Sequence, residues 1–338
     1  MPASLAKPML VCPAGSYVAL KAAVDNGADA VYLGLRNQTN ARNFPGLNFD
    51  AQEIKSALQY AHSRNCQVFL ALNTYPQPEH WSKWTQAVDL AAELGVDAAI
   101  MADLGLMRYA ARQQPSLRLH LSVQASATNR HAISFFAEEF GVQQVVLPRV
   151  LSLAQIRKVV ANSPIKVEVF GFGSLCIMAE GRCSLSSYVT GESPNTCGVC
   201  SPAKAVRWVE TPMGKQSRLN DVLIDQYAHH EPAGYPTLCK GRFKVRGKVF
   251  YALEEPTSLN VVDILPDLVK IGISAIKVEG RQRSPAYVAQ VTRVMRAAID
   301  ICYNDPEHYQ PRQEWLTQLD KLSEGQTHTL GALHRSWQ

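Results

Sequence analysis

Short β-rich apolar runs alternate along this chain with longer stretches whose apolar positions recur every three to four residues. The runs cover residues 9–12, 30–33, 67–72, 98–101, 117–123, 144–147, 166–170 and 275–278. Between them the helical period predicts helices at about 16–26, 51–65, 80–94, 104–113, 129–140 and 152–161. The sixth is the best marked, because Ser152 and Gln155 form a capping-box pattern ahead of Ile156, Val159 and Val160. Near the end, Ser284-Pro285 supplies a cap and a first-turn proline before the apolar face of Val288, Val291, Met295 and Ile299. Strands alternating with helices are the mark of βα units around a parallel sheet.

Eight such strands predict an α/β fold of the (β/α)8 TIM-barrel type, whose usual length of about 250 residues leaves room for one insertion. That insertion falls between the seventh and eighth strands, where residues 171–272 far exceed a normal loop. It contains a hairpin pattern over 243–251 and a helical pattern over 258–271 that restores the barrel rhythm. The expected organisation is therefore a barrel from 1–170 and 273–305, a cysteine-rich insertion over 171–272, and a tail over 306–338. A doubly wound sheet is the competing architecture, although no Gly-x-Gly-x-x-Gly turn follows the first strand.

The insertion also carries the chemistry. Five of the eight cysteines, Cys176, Cys183, Cys197, Cys200 and Cys239, fall within it among glycines, serines and prolines. Cys12, Cys66 and Cys302 stand singly in periodic apolar segments, as small buried hydrophobes do. Clustered thiolates are soft ligands that suit either a structural zinc or an iron–sulfur cluster. Zinc ribbons use two close cysteine pairs, and only Cys197 and Cys200 have that spacing here, so the dispersed pattern leans toward a cluster. Arg182, Lys240 and Arg242 adjoin these cysteines and would offset the negative charge of such a group.

Composition changes the picture only slightly. The 338 residues are 46% hydrophobic, enough for an extensive core, and 34 basic against 29 acidic residues leave a charge of +5 without a single-sign block. Nucleic acid is permitted by that balance but not indicated. No secretory pattern opens the sequence and no apolar run reaches membrane-spanning length, so a cytoplasmic location is expected. In that reducing setting, clustered cysteines are ligands more often than disulfides.

Barrel chemistry sits at the carboxyl ends of the strands. Residues just beyond each run thus become candidates: Asn73, Gln124, Arg149, Glu279 and Arg281, with Arg42 on a rim loop. Asp103 and the Cys12-Pro13-Ala14-Gly15 turn share that position. The three guanidinium groups suit bidentate binding of a carboxylate, and the amides and Glu279 supply hydrogen bonds. No residue is assigned a catalytic role.

The run Glu168-x-Phe170-x-x-Gly173-Ser174-Leu175-Cys176-x-x-x-x-Gly181-x-Cys183-x-Leu185-Ser186 resembles the signature of the collagenase-like peptidase family U-thirty-two. The resemblance extends through Thr39-Asn40-Ala41-Arg42, Ser122-Val-Gln124-Ala-Ser126 and Lys277-Val-Glu279-Gly280-Arg281, and so covers nearly the whole chain. It implies a [4Fe-4S] cluster on Cys176, Cys183, Cys200 and Cys239. Cys197 has no matching position and could replace Cys200 on its glycine-containing turn. The resemblance further implies the iron–sulfur subunit of an oxygen-independent hydroxylase in ubiquinone synthesis, working as a heterodimer with a UbiV-like homologue and with a UbiT-like lipid-binding accessory protein. Its expected substrates are a prenylated quinone precursor and a prephenate-like hydroxyl donor. Hydroxylation of a nucleobase in tRNA or rRNA is the nearest alternative in the same family. Peptidase activity has less support: His229-His230-Glu231 is followed by Pro232 rather than completing a His-Glu-x-x-His pair, and Gly173-Ser174-Leu175 is not a nucleophile elbow.

Overall fold

The computed structural model describes residues 6–178, 183–194 and 200–335. Seven strands follow in order around a parallel sheet: Met9–Pro13, Ala30–Gly34, Gln67–Leu72, Ala98–Met101, Leu119–Leu121, Val142–Val146 and Lys166–Ser174. The eighth, Ala275–Val278, closes the ring. Its Ala275 pairs with Met9 on one side and with Glu168 on the other, both in parallel register. A doubly wound sheet would leave those two edges open, so the barrel is the fold.

Local sequence explains the outer helices. Asp50 and Ser152 each form a capping box, with Glu53 and Gln155, at the starts of Ala51–His62 and Leu153–Asn162. Ser284 accepts from the Tyr287 amide at 3.2 Å, and Pro285 occupies the first turn of Pro285–Asn304, where its missing N–H costs nothing. The apolar faces of these helices and the outward faces of the strands make one continuous core. Cys12, Cys66 and Cys302 are buried in it. A separate, smaller cluster of Val11, Ala30, Tyr32, Phe69, Ala98, Ile100 and Ala275 fills the barrel interior.

The insertion differs from its expected form in two places. The seventh strand does not stop at residue 170; it runs to Ser174, and its last turn of chain pairs antiparallel with Ser258–Asn260. Consequently the predicted helix over 258–271 divides into that strand and a shorter helix, Leu265–Ile271. Pro266 fixes the division, since proline is tolerated in the first turn of a helix but not in its interior. The hairpin forms as Phe243–Val245 and Lys248–Phe250, turned by Arg246 and Gly247 at φ 49° and 83°. Sequence patterning did not anticipate the three-stranded antiparallel meander of Val206–Thr211, Gly214–Leu219 and Val222–Tyr227.

The segment expected as a tail carries helix Gln313–Leu322, whose Trp315 and Leu319 join the main core. Strand His328–Thr329 then pairs with Ser258–Asn260, extending the sheet beside the barrel mouth. Among the described residues, no helix is long and apolar enough to cross a membrane.

Candidate functional site

At the carboxyl ends of the strands, a cavity is lined by Arg42, Asn73, Gln124, Arg149, Glu279 and Arg281. The structure thus brings all six rim candidates together. Tyr32, Ser122, Phe170 and Lys277 complete much of the wall. Asp103, by contrast, caps the fourth helix by accepting from the Leu106 amide at 2.8 Å, an ordinary structural role.

Glu279 organises the mouth. Its two oxygens divide between Arg42, which donates at 3.0 Å, and Arg149. Burial alone would raise the Glu279 pKa, but the two guanidinium groups outweigh it and hold the carboxyl at about 2. Arg149 also donates to the Ser174 carbonyl and stacks over the Phe170 ring at 4.3 Å, so its fork is fixed on three sides.

Arg281 is placed differently. Although only 4% exposed, it donates to Asn40 Oδ1 at 3.0 Å and sits 5.7 Å from the Tyr32 ring centroid, and its Nε is a buried donor with no partner. Burial lowers its pKa to about 10, and repulsion from Arg42 acts in the same direction. Gly34 makes this placement possible, since a Cβ there would lie 2.6 Å from Arg281 Nη1 and 2.5 Å from Asn40 Cγ. Gln124 adds the complementary group: its buried Oε1 is an acceptor without a partner. Asn73 is structurally engaged, accepting from the Ala41 amide at 3.0 Å and donating to Ser122 at 3.3 Å.

Beneath the cavity lies an ion pair that pattern reading missed. Lys277, 4.0 Å from the Tyr32 ring centroid, donates to Glu168 at 2.7 Å, and Gln144 donates to the other oxygen of that carboxylate. The available signal was positional: Lys277 lies in the eighth strand two residues before Glu279, which directly follows it, and alternate residues along an extended chain share a face. Four cations line the cavity, against Glu279 in its wall and Glu168 beneath it. Arg42 and Arg149 share Glu279, and Lys277 pairs with Glu168, as buried charge requires. Nearby His120 adds no charge, because burial first, and then Lys277, lowers its imidazole to about 3.

The cysteines of the insertion are electrostatically coupled to one another and, through Cys200, to Arg42 and Glu279. Burial raises the Cys239 thiol to about 12, and the remaining influences on it include Lys240 and the other three proposed ligands, Cys176, Cys200 and Cys183. Those four sulfurs therefore share one electrostatic environment. Cys183 begins helix Ser184–Thr190 and accepts from the Ser186 amide at 3.4 Å, while the Ser186 hydroxyl donates to the Cys200 carbonyl. Cys200 is exposed as a residue, yet desolvation raises its thiol, with Arg42 the largest opposing influence. Through Arg42 the cysteine site is electrostatically coupled to the arginine cavity. Arg182 and Cys197 lie outside the described residues. Arg242 is turned to other work, pairing with Glu231 and, at 3.4 Å, with Asp225.

Four thiols are a soft donor set that suits either a zinc ion or an iron–sulfur cluster. Among the described residues, no three His, Cys, Asp or Glu side chains converge as a single-ion site.

Fold and site together define a (β/α)8 barrel with a polar, cationic mouth under a cysteine-bearing insertion. The family model for Peptidase family U32 matches residues 15–335, and the chain belongs to that family. A tRNA hydroxylation protein of Bacillus subtilis is 30% identical over 323 residues, covering 96% of this chain and 70% of that protein. Its counterpart in Escherichia coli is 30% identical over 315 residues, covering 87% of this chain and 68% of that protein. A solved U32 peptidase aligns with 51% of this chain and 70% of its own, at 15% identity and a TM-score of 0.40.

Proposed function

We propose that this chain is the iron–sulfur subunit of an oxygen-independent hydroxylase, of the UbiU type, in ubiquinone synthesis. Cys176, Cys183, Cys200 and Cys239 would hold a [4Fe-4S] cluster, which supplies one-electron chemistry at the barrel mouth when bound. A UbiV-like homologue is its proposed heterodimer partner, with a UbiT-like protein presenting the prenylated quinone precursor.

The observation that carries the reading is a buried donor and a buried acceptor left without partners in the cavity wall. Arg281 offers a buried, unpartnered Nε donor, and Gln124 offers an unpartnered acceptor. A small dicarboxylate bearing a hydroxyl group supplies what each of these lacks, and a prephenate-like donor has that chemistry. Arg42 and Arg149, splayed by Glu279, would orient its second carboxylate toward the cysteines. No nucleophile elbow or paired-histidine motif supports proteolysis, despite the family's name.

A second reading, hydroxylation of a nucleobase in RNA, is favoured by the relatives named as tRNA hydroxylation proteins. The same donor cavity and cysteine site would serve both. Product identification separates them: anaerobically grown cells with and without the gene are compared for hydroxylated quinone precursors and for hydroxylated tRNA nucleosides. The proposal expects loss of the quinone product with tRNA unchanged. Loss of the nucleoside alone would overturn it in favour of the second reading.

A further inference from the structure

Lys240 directly follows Cys239 and is 3% exposed. Its ammonium donates to Glu324 Oε2 at 2.5 Å and to Ser174 Oγ at 2.9 Å. The Ser174 hydroxyl donates to the same carboxylate oxygen at 3.3 Å, and the Glu324 amide donates to Ser258 Oγ at 2.9 Å. Three distant parts of the chain thus meet at one buried charge: the end of the seventh strand, the turn of the last cysteine, and the segment after the final helix. A buried ion pair is a poor device for stability alone, because well-packed apolar residues do as well or better. Its location suggests another role. Lys240 immediately follows Cys239, and its partner Ser174 lies two residues before Cys176, so the buried charge is held between the turns that carry two of the four cysteines.

We propose that Lys240, held in place by Glu324 and Ser174, is a positioning residue that sets the reduction potential of a cluster carried by the four cysteines. The inference rests on the cluster reading above. Net charge and hydrogen bonding close to the sulfurs are the general determinants of such potentials. A fixed ammonium stabilises the reduced, more negative form, and Glu324 moderates it. The last described segment of the chain is thereby coupled to the redox group, although it supplies no ligand.

Anaerobic redox titration, followed by electron paramagnetic resonance of the reduced cluster, tests this on wild type, Lys240→Met, Lys240→Arg and Glu324→Gln. Iron and sulfide are counted in each preparation. Loss of the positive charge in Lys240→Met should lower the potential by about 59 mV, a tenfold change for one electron. Lys240→Arg should stay near wild type, and Glu324→Gln should move the potential upward. If Lys240→Met does not accumulate, Lys240→Gln makes the same charge comparison. Equal potentials in all variants, or shifts of one sign in Lys240→Met and Glu324→Gln, would overturn the inference while leaving the cluster intact. Wild-type protein lacking iron and sulfide would sink the cluster reading itself, by a separate readout.

Discussion

Arg42 and Glu279 are 237 positions apart in sequence and 3.0 Å apart in space. With Arg149 on its other oxygen, Glu279 is a carboxylate kept ionised by two guanidinium groups, and it fixes how far apart those groups stand. Its pKa near 2 lies below the ordinary 4.5, so it contributes stability that is fully present above pH 4.5 and lost as the pH falls toward 2. Glu279→Gln should therefore destabilise the protein at neutral pH, on the order of 3 kcal/mol, because Arg149, which is buried, and the partly buried Arg42 lose the carboxylate between them. Denaturant unfolding of both proteins from pH 7 to pH 2 should show that difference shrinking only below about pH 4.5. A difference that is constant across this range would remove Glu279 from its bridging role.

Arg281 is expected to act on the ligand more than on the fold. Arg281→Met should weaken binding of a prephenate-like dianion by about 1.5–3 kcal/mol, the value of one charged hydrogen bond, with cluster content retained. Calorimetric titration alongside iron analysis measures both. Unchanged affinity in Arg42, Arg149 and Arg281 variants would leave the rim as structural charge only.

Gly34 provides an indirect test of the same geometry. Gly34→Ala puts a methyl group 2.6 Å from Arg281 Nη1, so Asn40 and Arg281 must both move. Stability should fall by about 1–3 kcal/mol, as for other overpacked sites, and donor affinity should fall with it. Wild-type affinity in that variant would show that the position of Arg281 is immaterial to binding.

Much of this molecule is legible from periodicity. The barrel strands and most of their helices are local patterns, and the strand ends alone indicate Arg42, Asn73, Gln124, Arg149, Glu279 and Arg281. What pattern reading misses depends on contacts across the sequence. The fifth strand shrinks to Leu119–Leu121 because Val123–Ala125 winds into a 3-10 turn ending at Ser126, whose φ is 54°. The strand at Ser258–Asn260 exists because Phe172, Gly173 and Ser174 lie alongside to pair with it. Lys277 and Glu168 look like strand residues with charged side chains until barrel closure sets them face to face. Lys240 and Glu324, 84 positions apart, share no local signal at all.

The cluster proposed for Cys176, Cys183, Cys200 and Cys239 is open to direct measurement. Protein purified without exposure to air should contain about four irons and four sulfides per chain. Alanine at Cys176, Cys183, Cys200 or Cys239 should abolish both, whereas alanine at Cys66 or Cys302, each buried in the core, should not. Retention of the cluster in Cys200→Ala with its loss in Cys197→Ala would reassign the fourth ligand. Stoichiometric zinc without labile sulfide in the wild-type protein would contradict the account.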